Sequence, residues 1–382
     1  MTPGKYRLPS VDFDSPLVQL IVDLERLRGN LGYGTTRTEL LGELHALFQL
    51  MSSVISARIE GNRTTIFDAI RDANATTGGA SEQQREITNL LGAIAFIEST
   101  PPDQPLTHVF VRELHRLTVE ELTREGDERP GSYRNVDVQI SRASHIPPSH
   151  VLLQAEMDEF LDFANREVPT SQQMIHVALA HHRFLWIHPF RNGNGRVSRL
   201  LSYAMIRRNG FVSPIGFRTV NPTAVFGNDR DEYYAALESA DSLSNEGTVA
   251  WCTFFARGIH SDLERLTKLQ SADYLFDELL DPTLGRMQER GVISAAERGA
   301  LKTALVRGVV KAGDLADSLP GSASHRSQEI RGMLSRGLLE VDRRGPRFYR
   351  VPLLGDVFAP HLIAQLDALG FLPPLLKEGI EL

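Results

Sequence analysis

The sequence predicts a mainly helical protein with one short strand pair in mid-chain and a separate basic module near the C-terminus, built of helices followed by two strands. Three observations carry this. Apolar residues recur at helical spacing over most of the first two thirds of the chain. Between Pro130 and Pro148 the period changes from helical to alternating. Charge is also segregated: Arg286 to Val351 holds 13 Lys and Arg against 7 Asp and Glu, a balance of +6, which leaves −13 elsewhere in a chain of net charge −7.

With 382 residues, 42% hydrophobic and 23% charged, the chain has room for two or three domains of ordinary soluble composition, each with its own core. No apolar run is expected to span a bilayer, and the basic N-terminus lacks the apolar stretch of a secretory signal. Cys252 is the only cysteine. That excludes an intramolecular disulfide and fits a cytoplasmic protein in a reducing environment. It reads as a small buried hydrophobe beside Trp251 and Phe254. The negative net charge argues against wholesale nucleic-acid binding.

Pro3, Pro9 and Pro16 punctuate an extended arm, followed by a short amphipathic helix from Leu17 to Leu27 and a break at Gly29 to Gly34. From Thr38 onward Leu40, Leu41, Leu44, Leu47, Phe48, Met51, Ile55 and Ile59 mark one long buried helix that Gly61 stops. Near its end Ser56 and Glu60 share a face. Taken alone, Ser-x-x-x-Glu-Gly is a weak pattern. A polar turn at Thr76 to Ser81, a helix from about Gln83 to Ile97 and another from Val109 to Leu122 read as scaffold. The alternating stretch Val136, Asp137, Val138, Gln139 and Ile140 reads as a strand pair, closed by Ile146-Pro147-Pro148. Helix returns from Val151 to Asn165.

The stretch His188 to Arg199 organises the chain. The helical pattern Met174 to Ile187 should end at His188, because Pro189 disfavours helical geometry before it. Gly193 and Gly195 let a ligand approach the backbone amides, and Asn194 is placed to cap the helix that follows. Arg196 and Arg199 lie one turn apart near the positive end of that helix, where several phosphates can be held at once. A largely neutral imidazole at His188 is suited to taking a proton from a hydroxyl. His176, His181 and His182 follow no recognised ligand spacing and read as helical histidines rather than metal ligands.

His188-x-Phe190-x-x-Gly193-Asn194-Gly195-Arg196-x-x-Arg199 resembles the signature of the Fic family, whose members mostly transfer AMP from ATP to a hydroxyl of a target protein. The resemblance implies a Fic-type helical bundle, with His188 as the base and Gly193, Asn194, Gly195, Arg196 and Arg199 on the nucleotide. It implies that Val136 to Ile140 form a flap against which an extended segment of the target protein pairs, and that Phe190 anchors the loop. Ser56, Glu60 and Gly61 look like the family's inhibitory motif, in which Glu60 pairs with Arg199 where the nucleotide's γ-phosphate would lie. Tyr233 and Tyr234 resemble the segment beside the base, where an aromatic pair can stack on adenine or belong to the core. One position departs from the family. Asn192 stands where a Mg²⁺-binding Asp or Glu is usual, which lowers the expected metal affinity and leaves open a weaker transferase, another phosphate-containing donor or a nucleotide site that barely turns over.

In the last third, helices at about Ser294 to Val306, Lys311 to Ser318 and Ser322 to Arg336 precede two strands around Arg344-Gly345-Pro346. This resembles a winged helix-turn-helix, with His325, Arg326, Gln328 and Arg331 on the recognition helix and Arg343, Arg344 and Arg347 on the wing. Such a module serves DNA or protein docking. The expected organisation is an arm and inhibitory helix region (1–100), a Fic core (101–268), a winged helix (269–355) and a tail (356–382). The expected activity is protein adenylylation with ATP and Mg²⁺, self-inhibited by Glu60. The alternative is a nucleotide-binding regulator with little activity and a DNA-binding winged helix. No membrane partner is expected, and homodimerisation is left open.

Overall fold

The computed structural model describes residues 4–74, 81–140, 143–212 and 222–377. The polar turn expected at Thr76 to Ser81 lies almost wholly outside them. The chain opens with α1 (Pro16–Asn30) and α2 (Thr38–Ile59), then α3 (Ile66–Asn74), α4 (Glu82–Ser99), α5 (His108–Val119) and α6 (Leu153–Ala164). α7 (Gln173–Ile187) and α8 (Asn194–Arg208) follow, then α9 (Pro222–Asn228), α10 (Arg230–Asp241) and α11 (Asn245–Lys268).

α7 is buried on nearly every side, which is where a helix apolar around its whole circumference belongs. It packs on α8, α6 and α11, and Trp251 of α11 donates from its indole nitrogen to the carbonyl of Ala178 on α7 at 2.6 Å. α1 covers α11, and α2 runs against α4, α8 and α9. α2 is, against expectation, long and apolar enough to cross a membrane by composition, but 67% of its most apolar window is buried inside the protein. It is a core helix here.

The helix ends follow local chemistry. Ser81 caps α4 through a reciprocal pair with Gln84, and Ser294 does the same with Glu297 at the start of α14 (Ala295–Arg307). Gly61, with φ of 105°, turns the chain out of α2 as expected.

The mid-chain strand pair does not form among the described residues. Residues 133–140 bend at Asn135 and Val136 and form no ladder, since among the described residues no second strand lies beside them to exchange backbone bonds. Side chains hold this segment instead. Asp137 accepts from the amide of His150 at 2.7 Å, closing the flap on itself.

Beyond α11, α12 (Ala272–Tyr274) runs through a π-turn at Leu275–Leu280 into α13 (Asp281–Glu289). After α14 the helix expected at Lys311 to Ser318 is a single 3₁₀ turn, Ala312–Leu315. α15 (Ala323–Ser335) leads to an antiparallel pair, β1 (Glu340–Val341) and β2 (Tyr349–Arg350), joined around Gly345. The C-terminal stretch is not a loose tail: α16 (Ala359–Ala368) buries Leu362, Ile363 and Leu366 against α13, and α17 (Pro374–Lys377) packs on α2 and α9.

Candidate functional site

α7 ends where Pro189 requires. His188 adopts the left-handed conformation, φ 51° and ψ 62°, costly for a non-glycine residue by roughly 1–3 kcal/mol and sustained only where its surroundings over-determine it. Its Nδ1 lies 3.3 Å from the carbonyl of Leu185, so the ring proton belongs there and Nε2 carries the free lone pair. Burial, aided by the charge of Arg134, pushes the imidazole down to about 4, leaving it neutral at pH 7.

The loop beyond His188 is braced from inside. Phe190 is fully buried and stacks on His115 of α5, with centroids 3.7 Å apart and planes 3° from parallel. His115 Nε2 donates to the carbonyl of Asn192 at 3.2 Å, and its Nδ1 accepts the amide of Gly131 at 2.9 Å. Asn194 neither caps α8 nor presents its side chain to a ligand. Its amide clamps the loop, Oδ1 accepting from the Phe190 amide at 2.9 Å and Nδ2 donating to the Phe190 carbonyl at 2.8 Å. Gly193, at φ 77°, supplies the turn into α8, whose first amides have no intrahelical acceptor and so form an anion nest by backbone alone.

The two arginines of α8 part company. Arg199 meets α2: its Nε donates to Ser56 Oγ at 2.9 Å, its Nη2 to the Ser56 carbonyl at 3.1 Å and to Glu60 Oε1 at 2.7 Å. Burial alone would raise the Glu60 carboxyl, but Arg199, with Arg196 and Arg230, outweighs it and holds the group below its ordinary value. A Cβ added at Gly195 would collide with this carboxylate, so Glu60 occupies the space the glycine leaves at the positive end of α8. Arg196 turns the other way, to Glu86 of α4 at 2.7 Å and the carbonyl of Glu125 at 2.8 Å. The expectation that both arginines face a phosphate chain is therefore corrected: Arg196 is fully buried and bound to an acid.

Asn192 is also committed. Its Oδ1 accepts the Gly193 amide at 2.7 Å and lies 3.5 Å from Arg196 Nη2, and its Nδ2 donates to the carbonyl of Gly126 at 3.2 Å. An oxygen ringed by donors is poorly disposed toward a cation. Among the described residues no group of three or more His, Cys, Asp or Glu is placed to hold a metal.

Tyr233 is buried in an aromatic cluster with Phe226, Trp251 and Phe254, and its hydroxyl lies 3.1 Å from His181 Nε2. It is a core residue rather than a stacking surface. Tyr234 is 43% exposed, under the guanidinium of Arg230, and remains accessible to a ligand. His176 and His182 bond backbone carbonyls inside the bundle, as helical histidines. Cys252 is buried, as expected.

Sequence reasoning missed three residues. His115 and Glu86 sit in stretches read as scaffold, and nothing in their spacing marks them. Arg134 is 3% exposed, and its guanidinium binds the carbonyls of His188 and Val136. Its only signal in the sequence was a lone basic residue between Pro130 and Ile140. A separate cavity of about 730 Å³ lies between the start of α2 and the C-terminal module, lined by Arg37, Glu43, Arg307, Arg343 and Arg350, away from His188.

Residues 105–206 match the family model described as Fic/DOC family. The chain carries a Fic/DOC domain. It is 30% identical over 195 residues to a protein of Nematostella vectensis named protein adenylyltransferase Fic, covering 49% of this chain and 42% of that one. Against the protein of the same name from Culex quinquefasciatus it is 29% identical over 254 residues, covering 64% of this chain and 46% of the relative. The chain thus spans less than half the length of these curated relatives.

Two solved structures share the fold. A Fic family protein from Desulfovibrio desulfuricans G20 superposes with a TM-score of 0.56 at 17% identity, covering 90% of this chain and 98% of that one. Fic-1 (residues 134–508) from C. elegans superposes with a TM-score of 0.52 at 19% identity, covering 65% and 71%. The Fic/DOC domain contains the loop, α7, α8 and the flap segment, whereas Ser56, Glu60 and Glu86 come from helices that precede it.

Proposed function

We propose that this protein transfers the AMP of ATP to a Ser, Thr or Tyr hydroxyl of a target protein, and that Glu60 keeps the resting enzyme self-inhibited. The observation that carries the reading is the grip of Ser56 and Glu60 on Arg199, at a helix N-terminus next to a neutral His188. A site that employs its own carboxylate to occupy an anion nest is built for an anion that must displace it.

In the reaction, His188 Nε2 takes the proton of the target hydroxyl as its oxygen attacks the α-phosphorus. The bond from the α-phosphorus to the bridging oxygen breaks, and pyrophosphate leaves. The first amides of α8 stabilise charge on the α-phosphoryl group, and Arg199, once freed from Glu60, offers its guanidinium to the departing phosphates. No step is routed through Mg²⁺, since Asn192 is not disposed as its ligand.

The flap supports target docking. Val136 to Ile140 have no neighbouring strand among the described residues, and Val136 is 41% exposed, leaving backbone that an extended peptide can pair with. The order of α14, α15, β1 and β2 supports reading residues 269–355 as a winged helix. Its α15 turns His325, Gln328 and Arg331 to solvent, a surface open to DNA or protein.

A second reading, a nucleotide-binding regulator of little activity, is favoured by one specific feature: Arg196 and Asn192 are both tied into the scaffold. Incubation with ATP labelled at the α- or the γ-phosphate separates the two. Adenylyl transfer predicts protein-bound label from the α-position alone, increased by Glu60→Gly. Nucleotide binding with no covalent label in that variant supports the regulator.

A further inference from the structure

We infer that Arg134 is a positioning residue that locks His188 to both ends of the flap, so that seating a target segment and aiming the base are one event. The inference rests on the adenylyl transfer proposed above. Arg134 is buried, yet the one carboxylate within ion-pair distance among the described residues is the exposed Asp137, at 3.7 Å. Its guanidinium is spent on main-chain carbonyls instead. Nε donates to the carbonyl of His188 at 2.8 Å, Nη1 to that of Val136 at 3.0 Å, and Nη2 to those of Pro148 and, at 3.4 Å, Ile187. The Arg134 amide adds a bond to the carbonyl of Pro189 at 2.9 Å.

One planar fork therefore joins the start of the flap, its close and the residue that carries the base. These bonds converge on His188, the non-glycine residue of this loop held in the left-handed region. A carbonyl bound from the flap side fixes the peptide plane after His188, and with it the direction in which the imidazole leaves the backbone. Among the described residues the segment 136–140 has no ladder of its own, so a peptide that pairs there pulls directly on the Arg134 fork. Lysine cannot substitute: it keeps the charge but lacks the rigid set of five donors needed to reach carbonyls on both sides.

The test uses the full chain in the Glu60→Gly background, with Arg134→Lys and Arg134→Gln. Adenylyl transfer is followed at varied ATP and target. In parallel, the His188 ring is titrated by NMR and assigned by loss of its signal in His188→Gln. Glu60, His145 and Arg134 are the charged or titratable neighbours whose fields reach this ring.

Both variants should remain folded at the assay temperature, with a lowered melting point, and keep the parent's KM for ATP, while the rate at saturating ATP falls about ten- to a hundredfold and KM for the target rises. The His188 midpoint should move up in Arg134→Gln, which removes a positive charge, and stay in place in Arg134→Lys. Parent rates and an unmoved midpoint in folded variants would overturn the inference, as would loss of the fold in both, which would make Arg134 a structural residue only. If the parent itself transfers no label, the proposed function fails while the NMR titration still decides the role of Arg134.

Discussion

Glu60 Oε1 lies 2.7 Å from Nη2 of Arg199, at the start of the helix that follows the His188 loop. A charge-assisted bond of this kind is worth about 1.5–3 kcal/mol, enough to suppress productive nucleotide binding roughly ten- to a hundredfold. Glu60→Gly should raise transfer by that factor, and Ser56→Ala, which removes one neutral partner of Arg199, should raise it only a few-fold. Initial rates at fixed ATP check both.

The neutral state of His188 predicts a flat rate through the physiological range. A base pushed down to about 4 loses activity only as acid protonates it near that value. A pH profile of Glu60→Gly, limited to pH values where the protein stays folded, should show no acidic limb near 6.5.

Acid should unfold the protein early. Burial lowers His115 and His188 to about 4 and also lowers His176, His181 and His182. Between their folded values and 6.5 the unfolded chain binds more protons, so stability rises with pH across that window and falls on acidification. The loss is roughly 1 kcal/mol per pH unit for each group that titrates fully. Melting temperature followed from pH 7.5 to 5 should drop steadily.

Glu86→Ala should be severely destabilising. It leaves the buried Arg196 with only the more distant carboxylate of Glu125, at 3.9 Å, and the loss approaches that of a broken buried pair, about 3–5 kcal/mol. Glu86→Gln keeps the acceptor oxygen and should cost less. Denaturant midpoints compare them.

Asn192→Asp should strengthen the Mg²⁺ dependence of transfer by adding the carboxylate this loop lacks. It also points an oxygen at the carbonyl of Gly126 in place of a donor, at a cost of about 1–3 kcal/mol in stability. A Mg²⁺ titration beside a thermal melt measures both, and an unchanged metal dependence would mean that a carboxylate at position 192 stays turned into the scaffold as Asn192 does.

Helices with strong periodicity and sharp ends were legible in the sequence: the break at His188 before Pro189 and the stop at Gly61 stand in the structure, and so does the pairing of Glu60 with Arg199, which the family resemblance alone implied. The flap was not, since alternation marks an extended chain but cannot say whether a second strand will lie beside it. Motif spacing and the family resemblance point Asn194 and Arg196 at a ligand and leave Tyr233 open between ligand and core. Which of them the scaffold claims depends on Phe190, four residues from Asn194, and on Glu86 and Trp251, which packing brings close.

The central claim is that His188 performs transfer once Glu60 lets go of Arg199. Intact-mass analysis of a target protein incubated with ATP tests it most directly, with Glu60→Gly and the double variant Glu60→Gly, His188→Ala side by side. The account predicts a mass increment of one AMP from the first and none from the second. Equal modification by both, or none by the first in the presence of bound ATP, would contradict it.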